Sequence, residues 1–193
     1  MGSPVVQGQP ARSALLTVTV LDAATHQPTP VRVCLTRTGK PVVTLSIEAV
    51  TVMYGLWDHE DGYAFQPDSS FYVAGQFTVT MPPGTYQLRL FKGHEFLQQQ
   101  AEIIVRPGQP LKRTYVLQRW THMAAKGWYS TDGHIHIRRS PRENPLIMIW
   151  LQAEDVNVGA LLRMGNFWET YYPQYAYGGA GLYGQGNYLL TTG

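Results

Sequence analysis

Between residues 14 and 117 the chain is a succession of short apolar–polar alternations broken by turn residues. Leu15-Leu16-Thr17-Val18-Thr19-Val20-Leu21 alternates with β-branched residues and runs into a turn region over 22–30. Residues 31–36, 71–73, 76–80, 85–91, 98–105 and 112–117 repeat the pattern. Thr38-Gly39-Lys40-Pro41, Pro82-Pro83-Gly84 and Arg106-Pro107-Gly108-Gln109-Pro110 punctuate it, and Ala74-Gly75 predicts a hairpin bend. Residues 42–53 are mostly apolar and are expected to split at local turns. A period of two with no helical period predicts a β-sandwich over 14–118, preceded by a small, polar, disordered tail over 1–13.

The pattern shifts at Arg119-Trp120. Gly127-Trp128-Tyr129-Ser130 leads into a strand over 132–137. Ser140-Pro141-Arg142-Glu143 has capping-box spacing, but Pro145 would then fall inside the helix. Asn144 as N-cap with Pro145 at the first helical position avoids that, giving a helix of about ten residues. It ends near Glu154-Asp155, and residues 156–162 read as a second buried strand. Strand–helix–strand is the opening of a parallel α/β sheet or barrel. From Phe167 onward Tyr171, Tyr172, Tyr175, Tyr177, Tyr183 and Tyr188 lie among glycines. Such a stretch suits an irregular loop lining a binding face, or a surface packed on a partner. Its end, Asn187-Tyr188-Leu189-Leu190-Thr191-Thr192, is strand-like.

Composition narrows the classes. In 193 residues only 15% are charged, against 12 Tyr and 5 Trp, which describes a folded chain rich in contacts. A net charge of +2 with scattered lysines and arginines gives no basis for nucleic-acid binding. No apolar run approaches the length of a membrane span; residues 146–151 are far too short. Cys34 is the only cysteine, so no intrachain disulfide forms, and its alternating flanks make it a buried small hydrophobe. Met1-Gly2-Ser3-Pro4 lacks the charged and apolar regions of a secretory signal, so the compartment stays open, an extracytoplasmic one included.

The chemistry concentrates in Thr131-Asp132-Gly133-His134-Ile135-His136. Alternation on a strand projects Asp132, His134 and His136 to one side, offering two imidazoles to a metal with a carboxylate beside them. A catalytic Zn or Mn site needs at least one further ligand and an open position for water. His26, His59, His94 and His122 share no spacing with the motif. Glu154 and Asp155 close the helix at the wrong end, whereas Asn166 and Glu169 follow the second strand at the right edge and are candidate outer or substrate contacts. Trp57, Asp58, His59, Glu60 and Asp61 cluster in the least regular part of the sandwich. They read more simply as a solvated acidic loop with an aromatic anchor than as a metal or sugar site.

The run 127–136 resembles the entry to the catalytic domain of CehA/McbA-type metallohydrolases, relatives of the polymerase-and-histidinol-phosphatase (PHP) group. Residues 153–158 and 189–193 resemble later segments of that family. Residues 75–79 and 82–86 resemble its N-terminal sandwich, which is similar to carboxypeptidase regulatory or transthyretin-like domains. The resemblance implies a transthyretin- or immunoglobulin-like sandwich followed, over 119–193, by a truncated PHP-like α/β segment. It also implies a divalent metal (Zn or Mn) held by His134 and His136 with Asp132 beside them, hydrolysing an ester, amide, carbamate or phosphoester. The chain departs from that pattern where the family carries Thr-Asp-His: it has Leu162-Arg163-Met164-Gly165-Asn166. Barely two βα units are present where a PHP barrel has about seven. The chain alone is therefore expected to be inactive, with its catalytic residues undetermined.

Two non-catalytic expectations stand beside this. Parallel strands with unfilled edges must pack on the sandwich, dimerise or gain strands from neighbouring copies. The Tyr/Gly-rich end would then be a docking surface and the protein a self-assembling surface or filament subunit. A carbohydrate- or cell-wall-binding accessory module is the third reading, by fold analogy.

Overall fold

The structure, a computed structural model, describes residues 12–37, 40–41, 46–53, 64 and 66–193. The first eleven residues of the expected tail, the acidic loop with Trp57, Asp58, His59, Glu60 and Asp61, and residues 42–45 lie outside them. The alternating segments form β1 (Ala14–Asp22), β2 (Val31–Arg37), β3 (Lys40–Pro41), β4 (Phe71–Val73), β5 (Gln76–Met81), β6 (Gly84–Phe91), β7 (Gln99–Val105) and β8 (Leu111–Leu117). They make two sheets. One has the order β5-β1-β8, with β1 antiparallel to β5 and parallel to β8. The other runs β3-β2-β6-β7, with β4 also paired to β2. Inward side chains at alternate positions close a dry core: Leu16, Val18 and Val20 from β1 meet Val33 and Leu35 of β2 and Leu88 and Leu90 of β6, with Phe71 and Phe77 edge to face at 5.4 Å.

Ala74-Gly75 is not a hairpin bend. β4 joins β2 while β5 joins β1, so the link carries the chain from one sheet to the other. Gly75 makes the crossing with φ +116° against Thr29, whose backbone nitrogen would lie 2.7 Å from any Cβ added there. Three fully buried residues in β4 leave it no polar face, so it seeks the sheet that covers both sides.

The second half contains β9 (Thr131–Ile135), the helix α1 (Asn144–Ala153), β10 (Val158–Leu161), β11 (Tyr183–Gln185) and β12 (Tyr188–Thr192). β9, β10 and β12 are parallel, with β11 antiparallel on β12, giving the order β11-β12-β10-β9. The PHP-like barrel expected here is corrected by this topology. After β10 no helix follows; the return to β12 runs through loops and a 3-10 turn at Gly178–Gly181, and a β11–β12 hairpin finishes that side of an open sheet. Met148, Ile147 and Leu151 of α1 pack on Leu161 and Leu190.

Pro145 stands in the first helical turn as the sequence predicts, but the cap is Glu143, one residue earlier. Its carboxylate accepts from the Ser140 backbone N–H at 2.5 Å. The Asn144 side chain is engaged elsewhere, accepting from Arg139 Nε (2.6 Å) and donating to the Tyr175 hydroxyl (3.0 Å).

The two halves share material. Val50, Val52 and Tyr72 of the first half belong to the second core. Lys92, buried at the end of β6, donates Nζ to the carbonyls of Pro30 (3.0 Å) and Gln152 (2.7 Å), a cation set on the last turn of α1. Arg119 clasps Asp155 in two bonds of 2.6 and 2.7 Å and also reaches Glu95 at 2.9 Å. Gly93 lies so close beneath the helix end that an added Cβ would fall 2.4 Å from Asp155 Cβ and 2.5 Å from the Glu154 carbonyl oxygen.

Candidate functional site

β9 brings its histidines together but not its carboxylate. His134 Nε2 lies 3.1 Å from His136 Nε2, the rings edge to face at 4.7 Å. His136 Nδ1 is 3.3 Å from the Leu162 carbonyl, and its ring stacks on Tyr172 at 5.0 Å. A carbonyl only accepts, so Nδ1–H of His136 is the donor in this contact. Asp132 Oδ1 instead accepts from the His134 backbone N–H at 3.0 Å, an Asx-type closure on its own strand.

The other expected residues serve a loop. Asn166 Oδ1 accepts from the backbone N–H of Trp168 (2.8 Å) and Glu169 (2.9 Å), its amide donates to the Tyr171 hydroxyl, and the Glu169 carbonyl accepts from Asn166 N–H at 2.8 Å. Nothing directs Asn166 or Glu169 at the histidines. Among the described residues no group of three or more His, Cys, Asp or Glu side chains is arranged to hold a metal ion. These two imidazoles have, among the described residues, no third His, Cys, Asp or Glu set with them to complete a metal centre, and no catalytic step is derived through one.

A groove of about 370 Å³ beside β9 is lined by Asp132, His134 and Ile135 of the strand, His136 just after it, Trp150 and Leu151 of α1, and Gln66 of the first half. Val158 donates its N–H to the Ser130 carbonyl (3.0 Å), so in this parallel ladder the backbone groups of Ser130 and Asp132 face β10. Leu162 donates its N–H to the Ile135 carbonyl (2.8 Å), so the ladder resumes at Ile135, and Gly133 and His134 form a bulge whose His134 N–H is taken by Asp132 Oδ1. An added Cβ at Gly133 meets nothing within 4 Å.

Other sheet edges are managed among the described residues. The β5 edge is covered by the turn at 46–49, where Glu48 accepts from the Thr78 N–H (3.2 Å) and hydroxyl (2.7 Å). The polar contacts draw the Glu48 carboxyl below its ordinary range despite the opposing effect of desolvation, the largest single influence on it. Between β7 and β8, Gln99 donates its amide to the Val116 carbonyl, and β8 exposes Lys112 and Arg113. β11 is only three residues long. β9 is five residues long and exposed from Thr131 to His134, without Lys, Arg or Pro. Exposed aromatics stand at both of its ends: Trp128 (70%) and Tyr129 before it, and Phe167 (89%) and Trp168 (87%) in the loop after β10.

Sequence reasoning missed two buried polar clusters. One joins Lys92, Arg119, Asp155, Tyr188 and Glu154 between the halves. Burial, then the partner carboxylates Glu154 and Asp155, raises the phenols of Tyr72 and Tyr188 far above their usual range. The other surrounds Arg139, which is 2% exposed, donates Nη1 to the Gly181 carbonyl at 2.7 Å and sits over the Tyr175 ring. Its burial lowers the guanidinium's affinity for its proton. The composition shift at Arg119 was the one available signal for the first cluster; the second left none.

No family model matches the chain, and no curated protein matches it. Solved structures similar to it include an ancillary streptococcal pilin (17% identity, TM-score 0.34, 55% of this chain and 32% of that one). A minor pilin of Streptococcus agalactiae is similar at 13% identity and TM-score 0.38, over 58% of this chain and 47% of that one. Phospholipase PlaB from Legionella pneumophila is similar at 11% identity and TM-score 0.26, over 56% and 25%. The chain thus spans less than half of each, and at these scores the likeness carries no functional argument. The resemblance to CehA/McbA-type metallohydrolases, with its PHP-like and metal-binding implications, is corrected: no family model matches, the second half is an open four-stranded sheet, and among the described residues no group of three or more ligands is arranged for a metal.

Proposed function

We propose that the protein is a non-catalytic structural subunit of a surface or filament assembly, built to associate with other chains through the open β9 side of its third sheet. The observation that carries this reading is the contrast among its edges. β5 is covered, the β7–β8 side carries a side-chain bridge and cations, β11 is three residues long, and among the described residues β9, though bulged at Gly133–His134 and bearing Asp132, is an exposed edge without Lys, Arg or Pro. Such an edge is a template for strand addition. Its flanking groove offers apolar wall from α1, and Trp128, Tyr129, Phe167 and Trp168 supply the aromatic area in which interfaces are rich. The Tyr/Gly-rich region with exposed Tyr175, Tyr177 and Leu182 provides a second docking surface, as propagation beyond a pair requires. An extracytoplasmic setting belongs to the same reading. That pilins are among the similar solved structures accords with it without carrying it.

Light scattering across a concentration series, followed by electron microscopy of the concentrated sample, tests the proposal. Mass should rise with concentration, and Trp128→Ser with Trp168→Ser should shift the rise to higher concentration. A monodisperse monomer throughout would sink it.

A further inference from the structure

We infer that the groove beside β9 receives the Phe167-Trp168 turn of a second copy; this rests on the assembly reading above and names the occupant. The turn holds two rings away from its own chain. Phe167 and Trp168 are 89% and 87% exposed and meet each other edge to face at 4.8 Å. Beneath them the two arms are braced. Tyr171 donates its N–H to the Met164 carbonyl (2.8 Å), Gly165 pairs with Thr170, and Arg163 Nη2 donates to the Thr170 hydroxyl (3.2 Å). Any side chain at Gly165 would collide with the Glu169 carbonyl, so the arms close this tightly only on glycine. At the tip, Asn166 Oδ1 accepts from both Trp168 and Glu169 N–H. A turn braced in this way is preorganised, so burying its rings costs little further ordering. Two adjacent aromatic side chains left in water are an anchor without a socket in their own chain.

The groove supplies the socket. Ile135, Ile137, Val156, Trp150 and Leu151 give it an apolar floor. Its volume of about 370 Å³ lies at the low end of the range, roughly 300–1,000 Å³, in which proteins enclose a small molecule, which suits aromatic rings. Charge agrees with this pairing. Asp132 stands exposed on the groove wall and Arg163 exposed at the base of the turn, and among the described residues neither has an ion-pair partner. Glu154, the other carboxylate of the groove, is already held by Arg32 and the Tyr72 hydroxyl. Anchor and socket thus each carry one unpaired charge, and the two are opposite in sign, which steers encounter and fixes orientation. Docking makes no demand on the β9 backbone, which is bulged at Gly133 and His134. Because anchor and socket are different surfaces, the contact is heterologous. One docking leaves a free turn and a free groove, so copies add until the row closes on itself.

Two exposed positions test this contact. Asp132→Arg alone and Arg163→Asp alone each set like charges together and should weaken association roughly tenfold. An equimolar mixture of these two variants restores opposite charges wherever unlike chains meet, and it should recover association to within about threefold of the parent. Arg163→Cys and Asp132→Cys, made in separate chains and mixed, should be joined across copies by a short bifunctional thiol reagent roughly tenfold faster than either variant with itself. Cys34 is buried and does not compete. If the protein assembles but the mixed chains link no faster than each variant alone, another occupant fills the groove, and this inference is overturned while the assembly reading stands. A protein that is monomeric at every concentration overturns both.

Discussion

Lys92 carries the clearest solution consequence of any single residue. Its amino group is 4% exposed, lies over the Phe96 ring, and bonds only to two carbonyls; Asp155, Glu154 and Asp22 attract it from a distance while Arg119 opposes them. Burial pushes it down to about 8. In the unfolded chain it titrates near the ordinary lysine value of about 10.4. Between these values the unfolded chain binds more protons, so stability rises with pH, by on the order of 3 kcal/mol in all. Tyr72 and Tyr188 act in the opposite sense, because they hold their protons in the fold and lose them on unfolding above about pH 10. Thermal melts from neutral pH upward should therefore climb beyond pH 8 and turn down above pH 10, and Lys92→Met should remove the climb and keep the fall. A decline beginning at pH 8 would contradict this account. At this scale the sequence was half legible. Alternation correctly put His134 and His136 on one side, since that follows from backbone geometry. The path of the Asp132 carboxylate depends on a bulge in the β9–β10 ladder that no local pattern records.

Elements were legible wherever their cause was local. Pro145 placed the start of α1 within a residue, and the alternation of β1, β6 and β7 fixed which side chains face inward. The sheet switch at Ala74-Gly75 was not legible. Two short apolar runs around a glycine look the same whether they pair with each other or with strands distant in the chain. The elements that meet at the centre are tied by Arg119, whose partner Asp155 is buried and also accepts from the Tyr188 hydroxyl at 2.6 Å. Arg119→Gln leaves that carboxylate without its cation, a loss of about 3–5 kcal/mol for a buried pair. Hydrogen exchange should locate the damage: α1 and β12 should lose protection, with β2 and β6 nearly unchanged. Uniform loss across all sheets would mean that Arg119 supports the whole fold and not this junction.

At the scale of the whole molecule the boundary suggested near residue 118 divides the chain's pattern more sharply than its packing. Val50, Val52 and Tyr72 precede that boundary and are buried in the core that follows it, and Lys92 is covered by α1. A fragment ending at residue 118 exposes all of them. Calorimetry should find it melting at least several degrees below the full chain, which itself should unfold in one transition. Equal midpoints, or two separate transitions in the full chain, would show the halves to be independent. This coupling rests on contacts between residues far apart in the chain, Lys92 with Gln152 at a separation of 60 and Tyr72 with Glu154 at 82. Periodicity carries no information at that range. Gly93 turns the same junction into a historical marker. Any side chain there would collide with the end of α1, so the position tolerates drift only in a lineage where the two halves have come apart. Among homologous chains, a residue other than glycine at that place would identify a sandwich that has abandoned its companion.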